Sequence, residues 1–340
     1  MANRLVEDPR VDPRIKAMFG SSNPPVLPEV TSREEQLAMI AAQPAPVEMP
    51  EAHAPFAAGV PSAGLSIRRQ SIPSQPEGNA INLQIIVPEG EGGPWPCVYY
   101  IHGGGMMMGS CFDPFHSAWG RLVAVQGVAV VQVDFRNCLV PSSVPEIAPF
   151  PAALNDCVSG LHWVHTHAAE LNIDPARIVI NGESGGGNLT LATALKLKRD
   201  GDLDLISGLY AMCPYLAGEW EGGEGSSMQR NAGILMEPPT NYGAMAYGIE
   251  ELRGRNPLAW PAYATEEDVA GFPPTIIAVN ECDALMDDGV DFYRLLLRAG
   301  VKARGKIVLG TVHATEVFCI TCPEISLDAA RELAALARGE

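Results

Sequence analysis

The sequence predicts an α/β protein: a mostly parallel central sheet with helices on both faces and a helical cap. Three observations carry that expectation. Fully apolar runs such as Cys97-Val98-Tyr99-Tyr100-Ile101 and Val128-Ala129-Val130-Val131-Gln132-Val133 alternate with segments of helical composition, as strands buried on both faces do. The β-branched run Arg177-Ile178-Val179-Ile180-Asn181 gives way at Gly182-Glu183-Ser184-Gly185-Gly186 to a helical pattern beginning at Gly187, so that a serine sits on a sharp strand-to-helix turn. A chain of 340 residues suits one large core with an added lid better than two equal domains.

Residues 1–64 are proline-rich and carry one convincing helix, with Ser32 and Glu35 as a capping box and Leu37, Ile40 and Ala41 along one face. A lone amphipathic helix between Asn23-Pro24-Pro25 and Pro44-Ala45-Pro46 has to lie on something else, and the segment is read as the first part of the cap. Residues 65–214 are the first part of the core. They open with alternating strands, Leu65 and Ile67, then Ile81, Leu83, Ile85 and Val87, joined by a turn from Pro73 to Asn79 and forming an antiparallel edge. Helical segments follow around Trp119–Val125 and Ala152–Glu170, then the helix Gly187–Arg199 and a strand from Leu205 to Cys213. Residues 215–265 break the rhythm: Gly218 to Gly223 is a flexible opening and Tyr242 to Leu252 a helix, and the stretch is read as a cap insertion. Residues 266–340 complete the core with a strand at Pro274–Val279, a helix at Gly289–Ala299, a last strand at Gly305–Leu309 and a helix at Ser326–Arg338.

Composition narrows the partners. A net charge of −17 repels polyanions, which argues against nucleic acid and anionic membrane surfaces. No apolar run approaches a membrane span and Met1 to Asp8 lacks the apolar core of a signal peptide, so a cytoplasmic location is expected. The eight cysteines are scattered through apolar segments and read as reduced core thiols; Cys319 and Cys322 form a C-x-x-C with no second pair to complete a zinc site. His162 and His165 share a helix face without an acidic or cysteine partner, and read as solvated or packing histidines.

The chemistry converges on the serine turn. Glycines at 182 and 186 remove the Cβ atoms that would collide where strand and helix cross, and the turn holds the Ser184 hydroxyl above the sheet edge. A serine hydroxyl needs a base, and the base an orienting carboxylate. The only histidine after Ser184 is His313, in the loop following the last strand. Asp283, just past the preceding strand, is the expected carboxylate; Glu281 is a substitute, while Asp287, Asp288 and Asp291 fall in the next helix, where they complement its dipole. His102-Gly103-Gly104-Gly105 follows a strand, and glycine N–H groups there, with that of Gly185, suit a developing oxyanion.

With these motifs the chain resembles the hormone-sensitive-lipase family of α/β-hydrolase esterases, of the H-G-G-G type, from about Ile81 to the C-terminus. The resemblance rests on His102–Gly105, Asp134-Phe135-Arg136, Phe150–Ala153, Asp174–Ile178, Gly182–Leu189, Asp283-Ala284-Leu285 with Asp287–Gly289, and Gly310–His313. It implies the α/β-hydrolase fold and a catalytic triad of Ser184, Asp283 and His313. It further implies an oxyanion hole of Gly104, Gly105 and Gly185, no metal or organic cofactor, and self-association as a homodimer. The expected activity is hydrolysis of short- to medium-chain carboxylic esters through an acyl-enzyme; the alternatives are a lactonase, an amidase, a hydrolase of natural-product or xenobiotic esters, or a non-catalytic small-molecule receptor. The chain departs from the family in having Glu183 where aspartate is frequent and Gly185 where alanine is common. Met106-Met107-Met108 replaces an aromatic, and Asn137–Ala148 is a longer loop. Met106 and Met107 are taken as substrate-binding residues, with at least one of the three methionines expected in the core.

Overall fold

The computed structural model describes residues 4–21, 26–42, 59–60, 62–219, 223–236 and 240–340. Eight strands form one sheet: β1 (Leu65–Pro73), β2 (Ala80–Pro88), β3 (Trp95–Ile101), β4 (Ala129–Asp134), β5 (Ile173–Glu183), β6 (Gly208–Met212), β7 (Thr275–Asn280) and β8 (Ala303–Val308). Their order is β1-β2-β4-β3-β5-β6-β7-β8, with β1, β2 and β4 paired antiparallel and every later pair parallel. The antiparallel edge and the parallel centre both follow the sequence expectation.

The apolar strands are continuous because successive residues serve opposite faces. Cys97, Tyr99 and Ile101 of β3 pack into one core layer with Leu83, Val131, Ile180, Leu189 and Phe292. Val98 and Tyr100 point into the other with Trp119, Val130, Val179, Tyr210 and Leu333. A strand so placed has no solvent face to mark with polar residues. Tyr99, Tyr100 and Trp119 are fully buried, and each finds a polar partner: Cys157 O, Glu183 Oε2 and Asn181 Oδ1. Such pairing is what allows these rings to be buried without orphaned donors.

Among the described residues three helices precede the sheet, two more than the sequence marks: Arg4–Glu7, Pro13–Phe19 and Arg33–Ala41. The first two are too short for a periodic signal. They are held by packing of Leu5, Val11 and Ile15 against Ile234, Cys282, Val312 and Cys322. The third is capped by Ser32, whose Oγ accepts from Glu35 N–H at 3.2 Å. Its buried residue is Gln36, donating to Tyr242 O at 2.7 Å, with Leu37 and Ile40 only partly covered. The proline flanks 23–25 and 44–46, and Trp220, Glu221 and Gly222 of the glycine-rich opening, lie outside the described residues.

The expected helix from Tyr242 to Leu252 is two helices, Tyr242–Tyr247 and Ile249–Arg253, interrupted at Gly248. Gly248 is extended (φ 177°), which breaks the run of helical dihedrals, and its carbonyl accepts both Leu252 N–H at 3.0 Å and the indole N–H of Trp260 at 3.1 Å. The helix expected at Gly289 begins earlier, at Met286.

Candidate active site

Ser184 stands between β5 and the helix Gly185–Asp200 with φ 57° and ψ −119°, a conformation costing a non-glycine residue about 1–3 kcal/mol. Three backbone bonds hold it there. Ser184 N–H donates to Met212 O, and Ser184 O accepts from Asn188 and Tyr215 N–H, each at 3.0 Å. The flanking glycines are required by close approach. A Cβ on Gly182 would lie 2.3 Å from Gly186 O, and one on Gly186 would lie 2.0 Å from Ile101 O.

Asp283 and His313 come from consecutive sheet ends. Asp283 Oδ2 accepts from His313 Nδ1 at 2.8 Å, and Asp283 is buried while His313 is partly open. Burial disfavours the imidazolium, but the facing carboxylate outweighs it and raises His313 well above the ordinary histidine value. Nδ1–H bonded to a carboxylate leaves Nε2 as the basic nitrogen. Both loops are tied from outside. Asn231 Nδ2 donates to Glu281 O and Asp283 O at 3.0 and 2.8 Å, and Leu285 N–H donates to Asp283 Oδ1 at 3.0 Å. Glu281, weighed as the substitute carboxylate, instead accepts Gly310 N–H at 2.8 Å and so braces the histidine loop. Asp287 and Asp288 do more than complement a helix dipole: Asp288 Oδ2 accepts Leu216 and Ala217 N–H at 2.9 and 3.0 Å, and Asp287 Oδ2 accepts Ser227 N–H at 2.6 Å.

Cys213 Sγ lies with the donor atoms of Asp283 and His313 inside a 4.8 Å cluster. Burial pushes its thiol up, so it neighbours the imidazole as a neutral group. His162 is half-exposed beside Asp202, and His167 stacks on Trp163. These are the solvated and packing roles expected of that helix.

The glycine loop closes on the serine turn. Gly104 and Gly105 have φ of 98° and 63°, and a Cβ on Gly185 would lie 2.9 Å from Gly105 Cα and 2.7 Å from Met106 N. Among the described residues no backbone hydrogen bond uses the N–H of Gly104, Gly105 or Gly185. Glu183, which stands where the family often has aspartate, reaches the same loop: its Oε1 accepts Gly103 N–H at 2.6 Å and lies 3.1 Å from His116 Nε2. His116 escaped the sequence reading because it sits inside the helix Pro114–Ala124, where one histidine in an apolar pattern carries no spacing signal.

Ser184, His313 and Gly103 to Gly105 face one largely apolar cavity of about 760 Å³. Met107 and Met108 line it, with Val140, Pro141 and Ser142 from the long loop. Leu27 comes from the N-terminal segment and Leu235, Met236 and Tyr242 from residues 215–265. Met106 is a correction: it is fully buried in the core, and its sulfur wedges 2.8 Å from where a Gly185 Cβ would be, so it supports the turn and does not face the cavity.

The alpha/beta hydrolase fold family matches residues 98–317, a stretch running from β3 through the serine turn to just past His313. The chain belongs to that family. Within the alpha/beta hydrolases it is a carboxylic ester hydrolase of the hormone-sensitive-lipase branch. The structure of esterase Est22 is 51% identical, with a TM-score of 0.94 over 99% of this chain and 100% of that one. The structure of brefeldin A esterase, a bacterial homologue of human hormone-sensitive lipase, is 32% identical, with a TM-score of 0.83 over 99% of this chain and 96% of that one. Carboxylesterase NlhH of Mycobacterium tuberculosis is 30% identical over 246 residues, 72% of this chain and 73% of the relative. No helix among the described residues of this hydrolase is long and apolar enough to cross a membrane.

Proposed function

We propose that the chain hydrolyses short- and medium-chain carboxylic esters through an acyl-enzyme on Ser184. The Ser184 oxygen adds to the ester carbonyl while His313 Nε2 takes its proton. The tetrahedral oxyanion collapses with loss of the alcohol, which receives that proton; water then repeats the sequence and frees the acid. Asp283 stays ionised and holds the imidazole. The N–H groups of Gly104, Gly105 and Gly185 stabilise the oxyanion, each worth roughly 3 kcal/mol. The observation that carries this reading is the strained Ser184 and the Asp283-paired His313 opening on one apolar cavity beside the glycine loop.

The cavity supports the size preference, because about 760 Å³ walled by two chain segments suits a small ester more than a long interfacial lipid chain. We read residues 1–64 and 215–265 as one two-part cap. Gln36 bonds to Tyr242 O, Asn241 Oδ1 accepts Val30 N–H, and both segments supply cavity wall. Met107 contacts the acyl or alcohol portion in this reading. A cytoplasmic location fits eight buried free thiols, and a homodimer rests on family resemblance.

The test is turnover of p-nitrophenyl acetate, butyrate, octanoate and palmitate by the wild type, Ser184→Ala and His313→Ala. The probe is apt because Est22 has been solved with p-nitrophenol. Rapid hydrolysis of the short esters, lost in both variants, is expected. A folded wild type inert on all four sinks the reading.

A further inference from the structure

We propose that Glu183 and His116 form a buried ion pair that positions the oxyanion loop, making both of them positioning residues for the esterase reaction. The inference rests on the acyl-enzyme reading above. Glu183 precedes Ser184 directly, so its backbone leads to the Gly185 donor while its side chain seizes the loop bearing the Gly104 and Gly105 donors. Its carboxylate is filled by hydrogens: Oε1 accepts Gly103 N–H at 2.6 Å and Oε2 accepts Tyr100 O–H at 2.7 Å. The third donor is His116, with Nε2 3.1 Å from Oε1. A Cβ on Gly103 would lie 2.8 Å from that same Oε1, so the loop rests on the carboxylate itself.

His116 pins the other end. Its Nδ1 lies 2.8 Å from Ser110 O, a carbonyl that can only accept. With a carbonyl on one ring nitrogen and a carboxylate on the other, the ring donates from both and carries a positive charge. Burial opposes that charge, but Glu183, the Ser110 carbonyl and Asp113 at 3.8 Å outweigh it and raise His116 above the ordinary histidine value. The neighbouring His102, 5.3 Å away between ring centroids, is pushed down by burial and by His116, so it adds no competing charge. Asp134 Oδ1 takes Ser110 Oγ and Cys111 N–H at 2.7 and 3.0 Å, anchoring the same corner from the sheet. The loop from Gly103 to Ser110 is thus held at its start by Glu183 and at its end by His116, and the two holders are bonded to each other. A pair buried this way fixes geometry more than it adds stability.

The experiment uses Glu183→Gln, His116→Asn and the double variant, each checked for folding by circular dichroism. Three readouts are taken: kcat/KM on p-nitrophenyl butyrate, Ki for an aryl trifluoromethyl ketone that forms an oxyanion on Ser184, and Ki for the matching secondary alcohol that fills the pocket without one. Each single variant is expected to lose about 10- to 100-fold in kcat/KM and the same factor in ketone affinity, with alcohol affinity held within about 2-fold. The double variant should be no worse than the poorer single one, because one device is removed twice. Unchanged ketone affinity, an equal loss for the alcohol, or additive losses overturns the proposal. If Glu183→Gln does not fold, His116→Asn decides alone by the same criteria. A wild type without Ser184-dependent turnover sinks the acyl-enzyme reading instead, a result distinct from turnover indifferent to both substitutions.

Discussion

Asp283 Oδ2 and His313 Nδ1, thirty residues apart in the chain, meet at 2.8 Å where the loops after β7 and β8 lie side by side. The parallel pairing of Asn280 with Val308 places the two loop starts together, so the contact is set by sheet register. Because the carboxylate raises His313, the base is protonated to a higher pH than a free histidine would be. With His313 as the proposed base, the rate should therefore climb with pH through a midpoint above 6.5, since only the neutral ring accepts the serine proton. The stability contribution runs the other way. A group whose folded pKa is raised stabilises fully below its unfolded value, near 6.5, and that contribution is lost as pH rises through the raised value. Asp283→Asn should move the acid limb of kcat/KM downward and cost on the order of 10³- to 10⁴-fold in kcat. A pH-rate profile of both proteins checks each point.

Gly186→Ala should unfold the turn even though alanine is the better helix former. Its Cβ would sit 2.0 Å from Ile101 O and 2.7 Å from His102 O, both backbone atoms of the strand end that carries the glycine loop. Relief requires pushing the helix off the sheet, at about 1–3 kcal/mol or more. Thermal melting should show the loss, and activity should fall further than stability because the displaced strand end carries the loop proposed to supply the oxyanion donors. An unchanged melting midpoint would contradict the contact.

Asp288→Ala should loosen the chain at Leu216 and Ala217, where residues 215–265 begin, without touching the proposed ester-cleaving groups. The carboxylate accepts the N–H groups of Leu216 and Ala217, and its removal leaves two partly buried donors without that acceptor. The expected cost is about 2–4 kcal/mol, read by denaturant unfolding, with Asp288→Asn milder because the amide oxygen still accepts.

How far the sequence reaches is clear from which contacts are local. The serine turn was readable because strand, glycines and helix are contiguous, and His313 because a single histidine follows Ser184. Strand positions were readable because burial on both faces leaves continuous apolar runs such as Cys97–Ile101. Glu183 and His116 were not, since their bond joins residues from β5 and a helix that precedes β4; the serine-turn motif marks position 183 without naming its partner, and His116 has no periodic or motif signature. The helices Arg4–Glu7 and Pro13–Phe19 are too short for a periodic signal and pack on Cys282, Val312 and Cys322; the second adds a local start, with Asp12 accepting Arg14 N–H and Pro13 in the first turn. Met106 was misplaced because three adjacent methionines look alike until the positive φ of 59° turns one of them into the core.

Asp156→Ala should be the most destabilising of these substitutions. Asp156 is fully buried and engages Arg136 through both oxygens, Nε to Oδ2 and Nη2 to Oδ1 at 2.9 Å each, while Oδ2 also accepts Arg136 N–H. Ser74 Oγ adds a further bond to Oδ1 at 2.5 Å, tying the turn after β1 to the helix Ala152–Thr166. Removing the carboxylate leaves a guanidinium only a few per cent exposed with Glu77 Oε2, 3.4 Å from Nη2, as its remaining anionic partner, and breaking a buried pair from one side costs about 3–5 kcal/mol. The arginine cannot neutralise itself, because the same surroundings hold its pKa above the ordinary value while the partner is present and guanidinium stays protonated at any accessible pH. Removing both charges together should therefore cost less than removing Asp156 alone. Denaturant unfolding of Asp156→Ala, Arg136→Met and the double variant measures this directly, and a double variant less stable than Asp156→Ala would mean that the arginine contributes by packing its stem more than by its charge.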